Sequence, residues 1–228
     1  MPRLTVIQRK IHTNYQKISG GAGANDRFRS WEHCYDFFQR WPRQGISANK
    51  DIAALQLGFY LASWGMYRGS SFLLQFDYTA HLAVVECLRA RQFAPLWKNE
   101  FGAADGDRDL VPIILDAVKA VRNAYGELAK QKDTNATDTL VTKVMLGTVG
   151  CLPACDQYFR AGVRKEFRTR DLKFSRLNEG FVVAILKFCH EHREELQEEQ
   201  LKIEGDRGKH YPLMKLIDMY FWQIGCGG

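Results

Sequence analysis

Apolar residues recur three and four positions apart along nearly the whole chain, and no β-branched run bounded by turn signals stands out as a strand. That spacing gathers hydrophobic side chains on one face of a helix, so the expected fold is all-α, a compact multi-helix bundle. With 228 residues, 46% of them hydrophobic, the chain can build a sizeable core. One domain over 1–228 is expected, the alternative being a subdivision at 1–135 and 136–228 with a cleft between two helical halves.

Start and stop signals divide the pattern. A first helix is expected from about Leu4 to Lys17, ending at the glycine-rich ISGGAGAND. That loop lacks the Gly-Lys-Ser/Thr ending of a phosphate-binding loop. Asp26 can cap DRFRSWEHCYDFFQRW, which stops before Pro42. A buried helix follows from about Lys50 to Tyr67, with Gly58 and Gly65 allowing close backbone approach. RGSSFLLQFDYTAHLAVVECLRAR gives one or two more helices, and DLVPIILDAVKAVRNAYGELAKQ another with Pro112 in its opening turn. Thr137 caps a helix to about Thr148, Asp156 starts the next, Asn178 caps a long amphipathic one through HEHREELQEEQLKI, and Pro212 opens the last.

The longest uncharged run, IAALQLGFYLASWGMY, has 16 residues, fewer than the roughly 20 a membrane span needs. MPRLTVIQRK has no apolar signal region, so a cytoplasmic location is expected. Six irregularly spaced cysteines then read as reduced thiols, and no metal or cofactor is expected.

The formal charge is +6, and its placement says more than its size. RAGVRKEFRTRDLKFSR, from Arg160 to Arg176, holds seven basic residues against Glu166 and Asp171. Arg68, Arg160, Arg164, Lys165, Arg168, Arg170 and Lys173 are therefore candidate contacts to a nucleic-acid backbone, although a charge run also suits a solvated face. Just before the strip, TKVMLGTVGCLPACD carries Lys143 on a helix and Asp156 at the start of the next. A carboxylate at a helix N-terminus is ordinarily held ionised by free amides and the dipole, so Asp156 can balance a developing cation or orient a water. The plainer alternative is an N-cap after a proline turn, with Lys143 a surface charge.

TKVMLGTVGCLPACDQYF resembles the C-terminal part of helix-hairpin-helix DNA glycosylases, in which a helix leads through a Pro-h-Asp turn into another helix. The turn here, Pro153-Ala-Cys-Asp156, is one residue longer. The resemblance implies excision of a modified base from duplex DNA. Asp156 would stabilise the oxocarbenium character at C1′, and Lys143 would attack C1′ as in the bifunctional members. Such chemistry suits repair, or defence against viral genomes. An extruded base needs a pocket, and FYLASWGMYRGSS offers Trp64 and Tyr67 as stacking faces with Arg68 and Ser70 as polar contacts.

A second constellation is RFRSWEH, where Arg27 and His33 are similar to the R-x4-6-H signature of HEPN ribonucleases, implying metal-independent RNA cleavage. A non-catalytic nucleic-acid-binding module is the third reading. His190 and His192 lie two apart and diverge on a helix, and Asp105, Asp107 and Asp109 lack the register of a calcium loop.

Overall fold

The computed structural model describes residues 4–20, 26–40, 50–98, 101, 107–167 and 176–227. They form eleven α-helices joined by short 3₁₀ turns, with no strand among the described residues. The helices are α1 (Val6–Tyr15), α2 (Ser30–Arg40), α3 (Lys50–Ser63), α4 (Leu82–Cys87), α5 (Asp107–Ala124), α6 (Gly126–Lys130), α7 (Asp138–Gly147), α8 (Gln157–Glu166), α9 (Glu179–Glu191), α10 (Arg193–Arg207) and α11 (Leu213–Cys226). The all-α expectation holds.

Caps fall where the side chains allow them. Thr5 and Gln8 form a capping box on α1, Thr137 caps α7, Asp156 caps α8 and Asn178 caps α9. Asp26 caps a 3₁₀ turn, Arg27–Arg29, that feeds α2.

Two helices are buried almost all round. In α7 every residue from Leu140 to Gly147 is inside, and in α11 every residue from Leu213 to Phe221. Around α7 pack α2, α3 and α5, while α1, α8, α9 and α10 surround α11. One apolar core runs through all of these elements, on both sides of residue 135.

Several boundaries differ from expectation. The helix begun at Lys50 stops at Ser63, because Gly65 turns left-handed at φ +78°. It is not buried throughout: Ala53, Ala54, Leu57, Tyr60 and Leu61 face the core, whereas Ile52, Leu55 and Phe59 are exposed. Gly58 meets the His81 ring rather than another backbone. The helix expected across 178–203 breaks at His192, and the one holding Pro112 begins at Asp107 and breaks at Tyr125. A 3₁₀ stretch over Arg91–Lys98 carries no clear sequence signal. All six cysteines are free thiols, and no helix among the described residues is long and apolar enough to cross a membrane.

Candidate functional site

The path from Lys143 to Asp156 is fixed at each step. Gly150, at φ +73°, closes α7 by donating its amide to Met145 O at 2.7 Å, a conformation an L side chain would strain. Beyond the proline turn, the Cys155 amide donates to Thr142 Oγ1 at 2.9 Å, and Thr139 Oγ1 donates to Cys155 O at 2.9 Å. The Ala154 amide donates to Asp218 Oδ1 on α11 at 3.1 Å. Thr139, Thr142 and Asp218 therefore hold the turn against both buried helices.

Asp156 then caps α8, its Oδ1 accepting the Tyr158 and Phe159 amides at 3.0 Å each. Those amides favour the carboxylate, as does the charge of Lys143. Burial outweighs them, with help from neighbouring Asp218, and the carboxyl sits above its ordinary value of 3.8. The lowering expected of a helix N-terminus is thus reversed by desolvation.

Lys143 is no surface charge, being 6% exposed. Its Nζ donates to Trp64 O at 2.7 Å and lies 5.9 Å from the centre of the Trp64 ring. Burial holds its pKa below the ordinary 10.5; Lys215 and Arg68 lower it further, while Asp156 and Asp218 pull upward. A buried amine with a depressed pKa is the form of lysine suited to nucleophilic attack.

Two further charged residues complete the cluster. Lys215 and Asp218, both buried on α11, are paired at 2.9 Å, and Lys215 Nζ sits 4.8 Å from the Trp64 ring centre and 5.1 Å from that of Trp31. The amines of Lys143 and Lys215 thus share one indole, and the carboxylates of Asp156 and Asp218 both act on the Lys143 charge. Sequence reasoning passed over Lys215 and Asp218, whose signal is charge inside the apolar run PLMKLIDMYFW. His81 was missed as well. Fully buried, it is bracketed by hydroxyls, Tyr67 at Nε2 and Tyr125 at Nδ1, each at 2.7 Å. Desolvation lowers its pKa to about 4, so one ring nitrogen donates, the other accepts, and the ring is neutral at pH 7.

The three residues expected to border a base pocket sit in different settings. Trp64 is half-buried against Lys143 and Lys215 with its Nε1 unpartnered, the Tyr67 hydroxyl is engaged by His81, and Ser70 is exposed. Arg68 is exposed beside Lys143, whose charge it feels.

The basic strip is not uniform. Arg160 is held by Asp138 Oδ2 at 3.3 Å and by Cys155 O at 3.1 Å, next to the Arg122–Asp138 ion pair at 2.8 Å. It braces the turn. Arg164 and Lys165 are exposed, and Arg168, Arg170 and Lys173 lie outside the described residues.

Arg27 and His33 have no interaction in common: the Arg27 guanidinium lies 4.8 Å from the Phe28 ring centre, and His33 borders an open basin with Arg40 and Lys209. His190 is exposed while His192 pairs with Glu195, so the two do diverge. Asp109 is exposed, and Asp105 and the Asp107 side chain lie outside the described residues. Among the described residues no group of three His, Cys, Asp or Glu side chains could hold a metal. Comparison with protein-family models, with curated proteins and with solved structures returns no match.

Proposed function

We propose that the chain is a DNA-acting enzyme that excises a modified base, with Lys143 and Asp156 as its catalytic pair. The observation that carries this reading is the burial of an amine and a carboxylate in one electrostatically coupled cluster, joined by a turn that α7 and α11 both hold. Rigid support of this kind is what a reacting constellation needs.

In this chemistry the C1′–N bond breaks and its electron pair leaves on the base, which takes up a proton. Asp156 balances the positive charge left on the sugar. Lys143, as the free amine released from the Trp64 carbonyl, gives its lone pair to C1′, forms a C–N bond and loses a proton. The nitrogen lone pair then opens the sugar ring, the C1′–O4′ bond breaking and O4′ taking up a proton, and water hydrolyses the resulting imine to the C1′ aldehyde, restoring the amine. Arg68, Arg164 and Lys165 are exposed, and in this reading they supply the cations that meet phosphates. Removal of modified bases fits either repair or defence against viral genomes.

The test incubates the purified chain with unmodified duplex DNA, duplexes carrying single modified bases, and RNA. Abasic sites should form on a modified duplex and vanish with Asp156→Asn. Borohydride should trap a covalent adduct that Lys143→Gln abolishes. Full excision by Asp156→Asn would overturn the assignment, and RNA cleavage lost in His33→Ala would move the activity to the other constellation.

A further inference from the structure

Helix α3 is apolar on two sides, and only one of them faces the core. Ala53, Ala54, Leu57, Tyr60 and Leu61 are buried, whereas Ile52, Leu55 and Phe59 are 46%, 53% and 59% exposed. Their spacing of three and four residues sets them in one stripe along two helical turns, with Gln56 beside them. A helix that is hydrophobic all round is normally buried all round, and large apolar side chains grouped on a surface mark a place where something binds.

The stripe borders a hollow. Gln56 and Phe59 form one bank of an open basin of about 570 Å³, and α2, packed against α3, forms the other with His33, Asp36, Phe37 and Arg40. Those four stand at i, i+3, i+4 and i+7, so they share one face of α2. Lys209, just ahead of α11, joins the lining.

The polar part of that lining is basic. Arg40 and Lys209 both pair with Asp36, which leaves two cations on one carboxylate, a net charge of +1 with His33 neutral. Asp36 takes two of the five N–H donors of Arg40, through its carbonyl and its carboxylate, and the Arg40 side chain is 60% exposed, so donors remain for a second carboxylate. At the start of α3, Lys50 pairs with Glu86, and Asp51 stands more than two turns before Phe59.

We propose that α2 and α3 together form a docking groove for an acidic amphipathic helix of a partner protein: its apolar side chains rest on Ile52, Leu55 and Phe59, and its carboxylates bond Arg40 and Lys209. Three half-exposed side chains fall well short of the ~800 Å² that each partner gives to a standard interface. That size argues against a second copy of this chain and fits a helix laid in a groove, with anchors at i, i+3 and i+7. Two cations are fewer than the roughly four to eight that draw a protein to an anionic membrane surface, and they line a hollow rather than ring a flat face. An apolar stripe likewise offers nothing to a phosphate backbone. The groove does not depend on base excision.

Fluorescence anisotropy reads the binding of labelled peptides of about fifteen residues, roughly four helical turns. The first sets Leu at helical spacing among Glu residues, the second has Lys in place of Glu, and the third scrambles the first. The Glu peptide should saturate the intact chain with a Kd on the order of 100 μM or tighter, and about tenfold tighter than the other two. Phe59→Ser or Leu55→Ser should weaken it about tenfold. Both side chains are exposed, so each variant should melt within about 2 °C of wild type, which separates lost binding from lost folding. Arg40→Glu combined with Lys209→Glu should make the Lys peptide the better ligand, a reversal that unfolding cannot mimic. Absence of saturable binding by the Glu peptide, equal binding of the scrambled one, or binding that Phe59→Ser leaves unchanged overturns the proposal. So does dimerisation in sedimentation equilibrium, or binding to vesicles of phosphatidylserine and phosphatidylcholine, that Phe59→Ser abolishes while the Glu peptide stays unbound. Lys143→Gln and Asp156→Asn should bind the Glu peptide as the wild type does, so failure here and failure of the excision chemistry remain distinguishable.

Discussion

Asp156 combines two duties that substitution can separate, since its carboxylate both caps α8 and sits in the charged cluster. Asn caps a helix as well as Asp does, whereas Ala loses about 1 kcal/mol. Asp156→Ala should therefore melt roughly 2–4 °C lower and Asp156→Asn close to wild type, with excision abolished in both. Scanning calorimetry beside the abasic-site assay checks this, and an Asn variant that unfolds early would mean the charge itself holds the turn. His81 gives the residue-scale pH dependence. Its folded pKa of about 4 lies below the ordinary 6.5, so between those values the unfolded chain binds more protons. The stability is fully present above pH 6.5 and is lost as pH falls through about 4, a change on the order of 3 kcal/mol. Urea midpoints at pH 7 and pH 4 should show that loss in the wild type, and His81→Gln should flatten it. An equal loss in both proteins would place the acid sensitivity elsewhere.

Helix packing is most sensitive where α8 crosses α11. A Cβ at Gly162 would lie 1.8 Å from Phe221 O, and one at Gly225 would lie 1.8 Å from Tyr158 O, so the two backbones touch. Neither carbonyl can move without displacing its own helix. Gly162→Ala should cost about 3 kcal/mol or more, the upper end of overpacking effects, read from urea unfolding. A loss below about 1 kcal/mol would show that the helices can separate freely. Helix starts at this scale were legible, because Thr137, Asp156 and Asn178 supply their own capping oxygens. The breaks at Tyr125 and His192 were not, because neither residue is a breaker. Tyr125 is needed for its hydroxyl on His81, a contact 44 residues away in sequence.

Across the whole molecule, cations fall into those that brace the fold and those that meet solvent. Nucleic-acid affinity should fall with salt, and Arg68→Ala and Arg164→Ala should each reduce the slope of log affinity against log salt by about 1. Arg160→Ala should leave the slope nearly unchanged and lower the melting temperature, because Arg160 is occupied by Asp138 and Cys155 O. Filter binding at several salt concentrations tests all three, and an Arg160→Ala slope as reduced as the other two would return that residue to the solvent-facing set. The spacing of apolar residues determined the helical class, since a 3.6-residue period can bury one face only as a helix. The capping side chains determined where α7, α8 and α9 begin, since a cap bonds amides two or three residues away. Which charges are buried was a tertiary matter. Lys143 reads as a surface lysine along its own helix, and only the indole of Trp64 and the pair Lys215–Asp218, each more than 70 residues distant, place its amine out of water. The same holds for Glu32, buried against the Tyr211 hydroxyl from the opposite end of the chain.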